Sequence, residues 1–156
     1  MKWIKTKNEN LKENYVEIHY QKNDQEIENL ICYLEADKIL FGKKNEQIQK
    51  LRVEDIFYCE IVDRKCFAYM EKEVYMLEMG LQNFLQQYET SGFVRIGKSL
   101  VVNVCKIDSL KADLNMRVKV YLENGEIVVV NRSYRHSFYN KLKKMKEEVE
   151  SNAAYS

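Results

Sequence analysis

The stretch that most constrains the fold lies at residues 93–134, where short β-like runs are separated by tight turn signals. Residues 116–123 alternate apolar and polar side chains, which is the pattern of a half-buried strand. Asn124-Gly125 follows, and then a second β-rich run at 126–130. An Asn-Gly pair between two such runs predicts a hairpin with a type I′ turn. This turn predicts two cross-strand pairs: Leu122 with Ile127, and Val120 with Val129.

Two basic residues stand beside this β-structure. The runs at 93–96 and 100–104 favour strands and flank the tight polar loop Gly97-Lys98-Ser99. Arg132 follows the second strand of the Asn-Gly hairpin and precedes a helical pattern. Rigid sheets that present polar loops are a common construction of binding sites. The pattern therefore predicts that Lys98 and Arg132 belong to a binding surface.

The order of these motifs resembles the LytTR-type DNA-binding domain of bacterial transcriptional regulators. The resemblance is carried by FVRIGKSLVVNVCKI and VYLENGEIVVVNRSY, and it covers roughly residues 48–145. It implies an antiparallel β-sandwich that binds specific DNA through loops, in successive major grooves of a direct-repeat promoter site, with bending of the DNA. Family members commonly carry His in the polar triplet, where this chain has Gly97.

The resemblance also implies which side chains contact DNA. Arg is suited to the O6/N7 edge of guanine, and Lys to guanine or phosphate. A further contact is implied at or near Lys65, in the turn of a hairpin predicted at 56–70. An ordinary charged turn is the alternative for that position. The candidate DNA-binding residues are Arg64, Lys65, Lys98, Ser99, Asn103 and Arg132.

The rest of the chain completes a mainly β (α+β) fold. Residues 49–79 favour a β-meander, residues 80–89 a helix, and Ser133 is predicted to cap a C-terminal helix with a lysine-rich face. We expect residues 46–148 to form the LytTR-type domain and residues 149–156 to be a disordered tail.

The first 45 residues predict a small β-α-β module. Residues 14–20 alternate like a strand, and residues 38–42 look like a short return strand. Between them, an apolar stripe at helical spacing follows a cap at Asn23 or Asp24; its members are Ile27, Leu30, Ile31 and Leu34. Two short strands cannot cover this stripe, which predicts contact with the rest of the chain, with a second copy in a homodimer, or with a partner.

This module is not a receiver domain, because it lacks the acidic pair that binds Mg²⁺ beside a phosphoacceptor. The chain resembles instead the short, receiver-free members of the family. Those members imply regulation by protein contact, with a membrane-bound antagonist protein as a candidate partner.

Charge and composition agree with a cytoplasmic DNA-binding protein. The chain carries only +1, but residues 93–146 hold 12 Lys and Arg against 4 Asp and Glu. Such asymmetry is expected of a nucleic-acid-binding face, and a lysine-rich helix face accounts for part of it. No apolar run has the length of a membrane span, and the polar N-terminus lacks the apolar core of a signal peptide.

No constellation typical of an enzyme is present. His19 and His136 lack a nearby carboxylate or Cys at metal or triad spacing, and Gly97-Lys98-Ser99 lacks the earlier glycine of a phosphate loop. The sequence predicts no cofactor, no metal and no small-molecule substrate. The alternative to DNA binding is a β-sandwich that serves as a protein-interaction module.

The four cysteines form no C-x-x-C motif and are expected to be reduced in a cytosolic chain. One pairing stays open. A hairpin turn at Val62-Asp63 would place Cys59 directly opposite Cys66, where a cross-strand disulfide could form.

Overall fold

A computed structural model gives the fold and describes residues 1–153. The chain divides into two compact units, Met1–Asp37 and Lys38–Ser156. No helix in the described part is long and apolar enough to cross a membrane.

The first unit contains one α-helix, α1 (Gln25–Glu35). Asp24 caps it, because its carboxylate accepts a hydrogen bond of 3.1 Å from the backbone N–H of Ile27. This confirms the helix that the apolar stripe predicts. Ile27 is buried, whereas Leu34 is exposed.

The prediction of an N-terminal β-α-β module is wrong. Residues 14–20 form no strand, since their backbone groups pair with no neighbouring strand in the described chain. Alternation of side chains does not hold a strand without such a ladder. The return strand exists as β1 (Ile39–Lys44), but it pairs with β2 (Gln47–Arg52) and so belongs to the second unit.

The described part of the second unit, residues 38–153, contains two antiparallel sheets and two α-helices, which confirms the mainly β fold. The helices are α2 (Leu81–Tyr88) and α3 (Arg135–Ala153). The remaining strands are β3 (Tyr58–Val62), β4 (Lys65–Tyr69), β5 (Val74–Leu77), β6 (Phe93–Gly97), β7 (Leu100–Asn103), β8 (Ile107–Ala112), β9 (Val118–Leu122) and β10 (Ile127–Val130). The large sheet has the order β2-β1-β5-β4-β3-β7-β6, and the small sheet has the order β10-β9-β8.

The large sheet has a hydrophobic core on each face. Successive side chains of a strand point to opposite faces, so Val101 of β7 packs in one core and Val102 in the other. Phe84 of α2 lies in the first core. Phe138 of α3 lies in the second, together with the inner face of the small sheet. The predicted sandwich is therefore present. Helix α2 covers the face of the large sheet that points away from the small sheet.

The Asn-Gly hairpin forms, but its register differs from the predicted one. Val128 pairs with Val120, and Ile127 pairs with Tyr121. The turn holds three residues rather than two: the Gly125 N–H donates to the Leu122 carbonyl at 3.0 Å, and only Gly125 has positive φ (+87°). Such a loop is a type I turn followed by a left-handed residue. The shift of one residue buries Val128 and Val130 instead of Ile127 and Val129.

The β3–β4 hairpin shows the same kind of correction. Its turn residues are Asp63 and Arg64, so Cys59 pairs with Ala68 and Cys66 pairs with Ile61. The two cysteines are therefore diagonal neighbours on one face, and both are free thiols in the described structure. Burial raises the pKa of the Cys59 thiol well above its ordinary value.

The C-terminal helix begins and ends later than predicted. Residues 132–134 form a 3-10 turn, and α3 begins at Arg135, so Ser133 lies inside the turn and does not cap the helix. The helix continues to Ala153, five residues into the predicted tail. Residues 154–156 of that tail lie outside the described residues.

Candidate nucleic-acid interface

Two hairpin turns of the large sheet lie side by side at one end. The β3–β4 turn consists of Asp63 and Arg64, with φ of 49° and 66°, as a type I′ turn requires at both central positions. The β6–β7 turn consists of Lys98 and Ser99, because Gly97 pairs with Leu100. Strands β3 and β7 are hydrogen-bonded neighbours, and the Ile61 N–H donates to the Ser99 carbonyl at 2.9 Å.

The segment after β10 reaches the same end of the sheet. The backbone N–H of Asn131 donates to the carbonyl of Ile96 at 2.9 Å, which fixes Asn131 beside the last residue of β6. Arg132 follows directly. Three segments that are distant in sequence therefore meet at one end of the sandwich.

We call this row of side chains the basic edge; it consists of Arg64, Lys65, Lys98 and Arg132. All four are exposed. Among the described residues, none of these side chains forms an ion pair or a side-chain hydrogen bond. Neighbouring strands are spaced by about 4.8 Å, so the row from β4 to β6 is about 15 Å long. That length is comparable to the width of a DNA major groove, about 12 Å.

The Lys98 turn is held rigidly. The guanidinium of Arg95 donates to the Lys98 carbonyl at 2.7 Å. The neighbouring Ser99 carbonyl is the acceptor for Ile61 on β3. Both carbonyls of the turn are thus engaged, and the Lys98 side chain is left to face solvent. Such a turn presents a cation with little backbone freedom.

Two carboxylates near this half of the sheet, those of Glu60 and Glu126, lie against tyrosine hydroxyls. The carboxylate of Asp63, in the β3–β4 turn, is exposed beside Arg64. Tyr69 donates from its hydroxyl to Glu60 at 3.2 Å. Burial, and next a hydrogen bond with Glu126, raise the pKa of Tyr58, which therefore stays a protonated donor. Glu60 and Glu126 are consequently bound by phenols and do not pair with the cations of the basic edge.

The six predicted site residues do not all lie at this edge. Arg64, Lys65, Lys98, Ser99 and Arg132 do, and all five are exposed. Asn103 is 1% exposed and lies at the other end of β7. Its amide donates to the Ile56 carbonyl at 2.8 Å and accepts from the Cys105 N–H at 3.0 Å. This placement argues against a DNA contact and assigns Asn103 a structural role.

Two residues of this end of the sheet are absent from the predicted set. Arg95 supports the Lys98 turn, and the exposed Asn131 places its amide over Gly97. The position of Asn131, next to Arg132 in sequence, is the one signal that could have identified it.

The opposite end of the large sheet offers a different surface. It carries the β1–β2 turn (Asn45 and Glu46) and the β4–β5 turn, which includes Lys72. A groove of about 810 Å³ lies there, lined by side chains of both charges, including Arg52, Glu73 and Lys106. No cluster of His, Cys, Asp and Glu suited to a metal ion exists within residues 1–153.

Comparison with known proteins places this fold in a family. Residues 46–143 match the LytTr DNA-binding domain. A protein of Staphylococcus aureus strain NCTC 8325 described as an uncharacterized HTH-type transcriptional regulator is 27% identical over 138 residues, which are 86% of this chain and 93% of the relative. A relative of the same description from strain N315 is 28% identical over the same shares.

The fold agrees with the sequence match. The solved structure of a LytTr DNA-binding domain from Bacillus cereus superimposes with a TM-score of 0.64 and 25% identity, covering 67% of this chain and 96% of that one. The family binds DNA and is not a family of enzymes. As the central stretch predicts, the chain belongs to the LytTR family of DNA-binding domains.

Proposed function

We propose that this protein is a sequence-specific transcriptional regulator that reads DNA major grooves with its basic edge. The observation that carries the proposal is the meeting of three segments at one end of the sandwich, each with an exposed cation that has no ion-pair partner in the described part of the chain. Arg132 is assigned to a guanine, because its fork-shaped guanidinium can bond O6 and N7 together. Lys98 and Lys65 are assigned to guanine or phosphate, and Arg64 and Ser99 to the DNA backbone.

Helices are not the reading elements in this proposal. Within the described chain, no two α-helices are joined by a short turn: β1 to β5 separate α1 from α2, and β6 to β10 separate α2 from α3. A helix-turn-helix reader needs such a pair. Rigid turns at a sheet end remain as the elements that can enter a groove.

The target is proposed to be a direct-repeat promoter site in the cytoplasm, with the DNA bent so that successive major grooves face the protein. The first unit is proposed as the regulatory contact surface. It exposes large apolar side chains, including Trp3 (79% exposed), which precedes α1, and Tyr33 (79% exposed), which lies on α1. Binding of a second copy to this surface would make the protein a homodimer. A membrane-bound antagonist protein is the other candidate partner.

The experiment is a footprint of the purified full-length chain on fragments of the genome it comes from, with excess non-specific DNA as competitor. We expect protected sites that share a repeated sequence motif. Binding that the competitor removes completely would overturn the proposal of specific recognition. Binding to protein partners alone would favour the interaction-module alternative.

A further inference from the structure

The side chain of Asn131 makes no capping hydrogen bond, although its backbone position favours one. Asn131 is the residue before the 3-10 turn at 132–134, with extended backbone angles (φ −66°, ψ 150°). Asparagine in that position usually accepts a hydrogen bond from a backbone N–H of the following turn. Here the side chain forms no capping hydrogen bond, and no other partner for it exists among residues 1–153.

The amide instead lies over Gly97. The Asn131 N–H bonds the Ile96 carbonyl at 2.9 Å, and the Tyr134 N–H bonds the Asn131 carbonyl at 2.9 Å, so the backbone is fixed on both sides. The side-chain nitrogen Nδ2 lies 3.2 Å from the place where a Cβ on Gly97 would be. Gly97 is buried with no side chain, so the Asn131 amide covers it and stays exposed.

This geometry places a donor and an acceptor, both without a partner among the described residues, next to two cations of the basic edge. Lys98 follows Gly97, and Arg132 follows Asn131. An asparagine amide matches adenine in the major groove, because its oxygen accepts from N6 and its nitrogen donates to N7. Guanine and the pyrimidines do not offer this donor-acceptor pair in the same order.

We propose that Asn131 is a specificity-determining residue that reads one adenine between the bases contacted by Lys98 and Arg132, and that Gly97 makes room for it. The inference rests on the proposed DNA-binding function and adds an A·T preference to it. Position 97 acts through Asn131: a Cβ there would lie 3.2 Å from Nδ2, so the amide would have to shift by a few tenths of an ångström.

The test measures binding of full-length protein to a footprinted site in which each base pair is changed in turn. For Asn131→Ala we expect the preference for one A·T pair to fall about 10-fold, within the range for a bidentate base contact, while the other preferences persist. Gly97→Ala should weaken the preference at the same base pair, and the double variant should lose little more than Asn131→Ala alone. Asn45→Gly is the matched control, because Asn45 is exposed at the opposite end of the sheet in a left-handed conformation that glycine accepts.

Three results are decisive. Loss of one A·T preference in Asn131→Ala supports the inference. An equal change of affinity for every base, or no change, would overturn it while leaving the proposed function in place. If the unmodified protein prefers no sequence at all, the proposed function itself fails, and the inference fails with it.

Discussion

At the scale of single residues, the proposed DNA-binding surface consists of exposed side chains at the turns of the sheet. Arg132 is exposed and has no side-chain partner among residues 1–153, whereas Asn103 is buried and bonded at both ends of its amide. Both belong to the sequence motif by which the family is recognised. Their opposite environments agree with the recognition role proposed for Arg132 and favour a structural role for Asn103.

Arg132→Ala should weaken binding to a footprinted site without changing thermal stability. Loss of a bidentate base contact costs about 1–3 kcal/mol, or roughly 5- to 150-fold in affinity. A gel-shift titration measures this, with thermal melting beside it. Unchanged affinity would remove Arg132 from the interface, and a collapsed melting temperature would make it structural.

Asn103→Ala should have the reverse effect. It leaves the Ile56 carbonyl and the Cys105 N–H without their partner inside the protein, which should lower the free energy of unfolding by about 2 kcal/mol. Urea denaturation measures the change. Asn83→Ala is the control, because Asn83 is exposed on α2. If the two substitutions cost the same, the buried amide is not a stabilising element.

Burial should determine which thiols react. Cys32 and Cys105 are exposed, whereas Cys59 and Cys66 are buried. Because burial raises the pKa of the Cys59 thiol, it stays protonated at pH 8 and should resist alkylation in the folded protein. Mass spectrometry should find Cys32 and Cys105 labelled in the native state, and all four labelled in denaturant without reductant. Protection of Cys59 and Cys66 that only reductant removes would show a disulfide.

At the scale of elements, the sequence predicted the existence of strands better than their pairing. The alternating run at 118–122 and the β-rich run at 127–130 both form strands, but the turn between them holds three residues. The Asn124 side chain accepts from the Glu126 N–H at 3.1 Å, and this local bond favours the longer turn. Periodicity alone could not reveal it, since an Asn-Gly pair fits both turn types.

The local sequence pattern likewise does not show which segments pair in a sheet. Residues 14–20 alternate but have no ladder, whereas β2, with the weak pattern QIQKLR, is held along its whole length by β1. The cations of the candidate site were predictable from their turns and from the family resemblance. That these cations meet at one edge was not predictable, because it depends on the pairing of β3 with β7.

Gly125 provides a test of the turn. It has φ of +87°, so Gly125→Ala should destabilise the protein by about 1 kcal/mol through backbone strain alone, because a new Cβ meets no atom within 4 Å. Chemical denaturation of the unmodified protein and of Gly125→Ala measures this loss. An unchanged free energy of unfolding would show that the turn adopts another conformation.

At the scale of the whole molecule, the boundary between the units falls before β1 rather than after it. Strand β1 lies between β2 and β5 in the large sheet, and its Leu40 is buried in the core with α2. Deletion of residues 1–37 should therefore leave a domain that folds and binds DNA. Deletion of residues 1–45 removes an internal strand and should give an unstable protein. Similar melting of both truncations would contradict this boundary.

The most direct measurement of the central claim is the salt dependence of binding to a footprinted site, made for the unmodified protein, Lys98→Ala and Lys72→Ala. Both substitutions remove one exposed lysine, but from opposite ends of the large sheet. If the basic edge binds DNA and Lys98 contacts phosphate, Lys98→Ala should lower affinity and reduce the slope of log K against log salt by about one unit. Contact of Lys98 with a base would lower affinity with less change in slope. Lys72→Ala should leave both quantities unchanged. Equal behaviour of the two variants would contradict the account, since the DNA would then not be bound at this end of the sandwich.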